Sequence, residues 1–165
     1  MTARRILVAG VGNVFFGDDG FGVEVARRLG ERPQPDGVDV VDFGIRGLDL
    51  TYALLAGYDA AILVDALPRG GAPGTLYVIE PEVEPADAPS IETHGMDPMK
   101  VLKLAAAMGG RLPLLRVVGC EPAPRSEAAE MTMGLSPAVA VAAADAVRLV
   151  EALVAELREG VGARA

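Results

Sequence analysis

Apolar and polar positions alternate along the chain in blocks whose period keeps switching. RILVAG at 5–10 is a short apolar run closed by glycine, the pattern of a strand buried on both faces. Phe21, Val25 and Leu29 then recur at every fourth position and predict a helix ending at Gly30. VDVVDFG at 38–44 predicts a second strand, and Leu48, Tyr52 and Leu55 predict a short helix stopped by Gly57. AAILVDAL at 60–67 is a third strand, apolar until Asp65, and TLYVIE at 75–80 is a fourth. Asp97–Pro98 supplies an N-cap and first helical residue for a helix carrying Met99, Leu102 and Ala106, ended by Gly109–Gly110. LPLLRVVGC at 112–120 is a fifth strand. Ser136–Pro137 then caps a last helix with Val139, Ala143, Val147, Val150, Val154 and Leu157 on its buried side.

Strands alternating with helices, the strands apolar throughout, imply an α/β protein with a mostly parallel sheet covered on both faces. The connections at 32–37, 68–74, 81–92 and 121–134 are rich in proline, glycine or acid, and the segment 81–92 reads as an exposed, mobile loop. No repeat or linker divides the chain. It reads as one domain over 1–160 with a frayed tail at 161–165.

In open parallel sheets, sites form beyond the carboxyl ends of the strands. The first strand leads into GVGNVFFGDDGFG at 10–22, which has two glycines of a dinucleotide loop, Gly10 and Gly12, but Phe15 in place of the third. Asp18 and Asp19 occupy the place where phosphate would lie. One of these acids could be a helix N-cap, worth about 1 kcal/mol, but capping does not need both. Gly17, Gly20 and Gly22 weaken a helix start and are expected where something approaches the backbone closely. The second strand ends near Asp42, 32 residues after Gly10 and beyond the ribose-acid spacing of about 20. The third strand ends at Asp65, whose partly buried charge needs a partner or a metal. The fifth ends at Cys120 and Glu121, and the single histidine, His94, precedes the Asp97 cap.

Asp19, Asp65 and His94 form a mixed oxygen–nitrogen set suited to a transition-metal cation, with positions left open for an incoming ligand. No serine sits in a nucleophile-elbow sequence. A Cys120–His94 pair is geometrically possible, although a lone cysteine is commonly buried and inert.

Composition narrows these options. A chain of 165 residues suits one domain, and 51% hydrophobic with 4% aromatic residues means an aliphatic core and no aromatic sugar cleft. One cysteine excludes an intramolecular disulfide and a cysteine-rich zinc site. The net charge of −8 opposes phosphate-backbone binding and permits a metal or a cationic partner. No run reaches the roughly 18 apolar residues of a membrane span, and the start does not read as a signal peptide. The expectations are therefore a cytoplasmic location, no nucleic acid and no membrane.

ILVAGVGNVFFGDDGFG resembles the opening signature of the hydrogenase maturation endopeptidases. VDFGIRGLDL at 41–50, ILVDAL at 62–67, THGMD at 93–97, VVGCEPA at 117–123 and MGLSPAV at 133–139 resemble later elements of that family in the same order. The resemblance implies a three-layer α/β/α sandwich around a twisted, mostly parallel sheet of about five strands. It implies an aspartic-type endopeptidase that removes the C-terminal extension of a nickel–iron hydrogenase large-subunit precursor after nickel insertion. Asp19, Asp65 and His94 would be its metal-contacting and catalytic residues, meeting nickel delivered within the substrate. Asp42, Gly44, Arg46 and Gly47 would recognise that substrate, and the glycines of the first loop would let it pass close to the backbone. A non-catalytic nickel metallochaperone and a nucleotide-binding enzyme are the competing expectations.

Overall fold

The computed structural model describes residues 4–83, 97–124 and 133–160. The expected tail at 161–165 and most of the expected loops at 81–92 and 121–134 lie outside them. Five strands, β1 (Ile6–Val11), β2 (Val38–Gly44), β3 (Ala60–Ala66), β4 (Leu76–Ile79) and β5 (Leu114–Cys120), form one sheet in the order β2-β1-β3-β5-β4. The first three and β5 run parallel, whereas β4 pairs antiparallel with β5 at the edge. The mostly parallel sheet is thus as expected, and the short turn-rich link 68–74 explains the exception. β4 follows β3 in the chain but lies across β5 from it, and to run parallel to β3 it would need a long crossover, which that link is too short to provide.

Helices α1 (Phe21–Gly30) and α4 (Pro137–Arg158) cover one face, and α2 (Gly47–Leu54) and α3 (Pro98–Ala107) cover the other. Successive β1 residues feed opposite cores: Ile6 and Val8 pack with α1 and α4, Leu7 and Ala9 with α2 and α3. The predicted stripe of α1 is fully buried at Phe21, Val25 and Leu29, each worth about 1.5–3 kcal/mol. All six predicted apolar positions of α4 are buried too. Asp97 caps α3 as expected, accepting the Met99 N–H at 3.0 Å, with Pro98 behind it.

The short helix expected from Leu48, Tyr52 and Leu55 is present as α2, but that spacing does not mark its buried face. Leu48 and Tyr52 are exposed, and the helix buries Leu50, Thr51 and Leu54 instead. Thr51 can be buried because its hydroxyl donates to the Gly47 carbonyl at 2.8 Å within the same helix. The glycines after β1 also serve the fold first. A Cβ on Gly22 would lie 2.0 Å from the Val64 carbonyl oxygen and 2.4 Å from that of Val11. What approaches Gly22 so closely is the chain's own sheet, which lets α1 start directly against β1 and β3.

Candidate functional site

Chain order places β2 on one side of β1 and β3 on the other, so the crevice beyond β1 and β3 is where the sheet's winding reverses. Beyond β1, the backbone turns at Gly12 with φ +145°. A Cβ there would lie 1.9 Å from the Asp19 carbonyl oxygen and 3.6 Å from Asp65 Oδ1. Glycine therefore lets the end of β1 run against both acids. The same crowding excludes the phosphate-loop reading, since the Asp65 carboxylate and the Asp19 carbonyl occupy the space beside the loop glycine.

Asp19 stands on a single 3-10 turn, Gly17–Gly20. Its side chain is exposed, and Oδ2 accepts the Asn13 N–H at 3.0 Å. Asp65, near the end of β3, is 7% exposed, and Oδ1 accepts the Ala66 N–H at 2.8 Å. Burial, followed by the negative charge of Asp19, pushes the Asp65 carboxyl up to about 8. The Ala66 N–H opposes that rise, and Asp97 adds to it from the start of α3. Two acids from separate elements thus lie close enough for the charge of Asp19 to act on Asp65, and burial of Asp65 makes its negative charge costly. A cation between them would relieve that cost, and carboxylate oxygens are ordinary ligands for divalent metals. Among the described residues, no group of three His, Cys, Asp or Glu side chains is placed to hold a metal. His94, the third member of the expected set, lies outside those residues.

Asp18 points the other way. Its Oδ1 accepts the Ser136 N–H at 2.7 Å, and Oδ2 accepts the Ser136 hydroxyl and the Ala123 N–H, both at 2.8 Å. Ser136 is the N-cap of α4 by position, as expected, but its hydroxyl makes no cap bond to the helix. It donates to Asp18, whose carboxylate sits at the positive end of α4.

A cleft of about 910 Å³ adjoins Asp19 and Ala66. Phe16, Pro68, Gly71, Pro122, Met133 and Leu135 are among the residues lining it. Its far wall is fastened by Glu121, a buried acid that the strand-end pattern located without revealing its task. Glu121 Oε1 accepts the N–H groups of Arg69 and Gly71 at 2.8 and 2.7 Å and the Tyr77 hydroxyl at 2.8 Å. Burial would raise this carboxyl, but those donors outweigh it and hold the pKa below the usual value. Its neighbour Cys120 is fully buried, and its sulfur donates to the Glu121 carbonyl at 3.7 Å. Burial, helped by the charges of Asp18 and Glu121, pushes the thiol up to about 11, so no thiolate nucleophile forms there at neutral pH.

The expected recognition segment lies beside this crevice. Gly12 N–H donates to the Gly44 carbonyl at 2.9 Å, and β1 and β2 shift register between Gly10 and Val11. Gly44 has φ +53° and turns the chain toward α2, which begins at Gly47. The Arg46 guanidinium donates to the backbone carbonyls of Asp42 and Phe43 and pairs with Asp49 at 3.3 Å, so it braces the turn. The Asp42 side chain is exposed, as are Ile45 and Leu48.

The family model for hydrogenase maturation proteases matches residues 23–153. The hydrogenase expression/formation protein HoxM of Azotobacter vinelandii is 37% identical over 125 residues, which cover 74% of this chain and 60% of HoxM. The chain therefore spans less than two thirds of that relative's length. The hydrogenase 2 maturation protease of Escherichia coli K12 is 34% identical over 138 residues, covering 82% of this chain and 81% of that protein. Among solved structures, the E. coli hydrogenase maturating endopeptidase HybD superposes with a TM-score of 0.74 at 32% identity, covering 92% of this chain and 93% of that one. By the extent of the family match and the coverage of these relatives, the chain belongs to the hydrogenase maturation protease family.

Proposed function

We propose that this chain is an endopeptidase that removes the C-terminal extension of a nickel–iron hydrogenase large-subunit precursor once nickel has been inserted. The observation that carries the reading is the pair of acids at the sheet's switch point, a buried Asp65 within the electrostatic reach of Asp19 on the turn beyond β1. Family membership supplies the peptide-cleaving chemistry, and the pair supplies oxygen donors for a cation carried in by the substrate. Asp19 and Asp65, with His94, would then meet the nickel of a loaded precursor. A precursor without metal would face two acids with nothing between them, so the site discriminates by differential affinity. The adjoining cleft is the place for the polypeptide on either side of the cleaved bond. Asp42 and the turn Gly44–Gly47 would contact the folded part of the precursor.

The test uses purified chain with nickel-loaded and nickel-free precursor. Cleavage of the loaded form alone, lost in Asp19→Ala and His94→Ala, is the expected result. Full cleavage by His94→Ala contradicts the assignment. Nickel binding without any peptide product returns the chain to a metallochaperone role.

A further inference from the structure

The turn that presents Asp19 is intrinsically weak. It is four residues long, contains Gly17 at φ +58° and Gly20, and its backbone bonds from Phe16 to Asn13 and from Asp19 to Phe16 are both 3.2 Å. The bonds made by Asp18 are shorter, 2.7–2.8 Å, and have an ionised acceptor, which makes them the stronger set. Two of them reach a long, well-packed element: Ser136 is the N-cap of a 22-residue helix that buries nine side chains, and Ala123 lies three residues past the end of β5.

We propose that Asp18 is a positioning residue: by fastening the Gly17–Gly20 turn to Ser136 and Ala123, it fixes where the Asp19 carboxylate stands relative to Asp65. The inference deepens the peptidase reading and rests on it for its kinetic consequence. Its mechanics are independent of that reading. Asp18 and Asp19 share a turn, so loss of the Asp18 anchor lets the turn swing and loosens the bond from the Asn13 N–H to Asp19 Oδ2. Ser136 belongs to the same device, because its hydroxyl is committed to Asp18 and not to capping α4. The adjacent acids thus divide the work, one anchoring and one facing the metal.

The test compares Asp18→Asn and Ser136→Ala with Asp59→Ala. Asp59 accepts the Arg5 N–H at 2.7 Å at the opposite, amino-terminal end of β1 and β3, so its loss reports stability alone. Amide hydrogen exchange of the full-length chain in chelator is read at Asn13 and, as a core reference, at Val64. Asp18→Asn is expected to speed Asn13 exchange by about tenfold more than Val64, Ser136→Ala by less, and Asp59→Ala by no excess. With nickel-loaded precursor, Asp18→Asn is expected to lower kcat about 10–100-fold with KM little changed, as misplacement of a reacting group does. Equal acceleration at Asn13 and Val64, or an undiminished kcat in well-folded variant, overturns the proposal. If Asp18→Asn does not fold, Ser136→Ala decides by the same comparison of Asn13 with Val64. Should the wild-type chain not cleave loaded precursor, the peptidase reading fails, and hydrogen exchange alone still decides the role of Asp18.

Discussion

The buried Asp65 carboxyl costs the folded protein stability by an amount that depends on pH. The unfolded chain holds this carboxyl near 3.8 and the folded chain near 8. A carboxyl raised by folding binds its proton more tightly in the native state, so native stability falls as pH rises through that window. The slope is about 1.4 kcal/mol per pH unit, and from pH 5.5 to 7.5 the loss is about 2–3 kcal/mol. Asp65→Asn removes the titration while keeping an oxygen to accept the Ala66 N–H. The variant is therefore expected to gain on the wild type by that amount between pH 5.5 and 7.5, a range above the isoelectric point near 4.6. Urea unfolding of both proteins in chelator, at four or five pH values, measures the gap directly. A gap that stays constant across the range refutes the reasoning, because it would mean that folding does not raise the Asp65 carboxyl.

Two glycines of α1 should respond to alanine with opposite signs. Gly22→Ala forces a methyl group against the Val64 and Val11 carbonyls and is expected to cost about 3 kcal/mol or more. At Gly30 a methyl group meets nothing within 4 Å, and Gly30→Ala is expected to stabilise by about 0.5–1 kcal/mol. Thermal melts of the pair check both, and destabilisation by Gly30→Ala would count against the packing argument. Cys120, buried with its thiol pushed up to about 11, is expected to resist iodoacetamide in the folded chain at pH 7.5. Cys120→Ala is expected to keep cleaving loaded precursor, whereas complete loss of cleavage in a folded Cys120→Ala protein would restore a nucleophilic role.

The hydrophobic period revealed most of the framework because long elements leave little choice. Over the 22 residues of α4, only one face can carry Val139 through Leu157. The short α2 and its C-cap residue offer two stripes, and spacing alone does not choose between Leu48–Tyr52–Leu55 and Leu50–Thr51–Leu54. The choice is made by packing on Phe43 and α3, which is not local. The direction of β4 was legible only through the shortness of its connection. At the site, strand ends located Asp19, Asp42, Asp65 and Glu121, since that rule depends on topology. What each acid touches was not legible: Asp18 bonds across more than 100 residues to Ser136, and Glu121 across about 50 to Arg69 and Gly71. Such pairings are set by how α4 and the 68–74 loop close over the sheet.

The central claim is peptide cleavage gated by nickel. Its most direct test is the mass of a hydrogenase large subunit co-expressed with this chain, measured with and without nickel in the medium. The account predicts that the subunit loses the mass of its C-terminal extension only when both chain and nickel are present. An unchanged mass in the presence of both, or equal trimming without nickel, would contradict it.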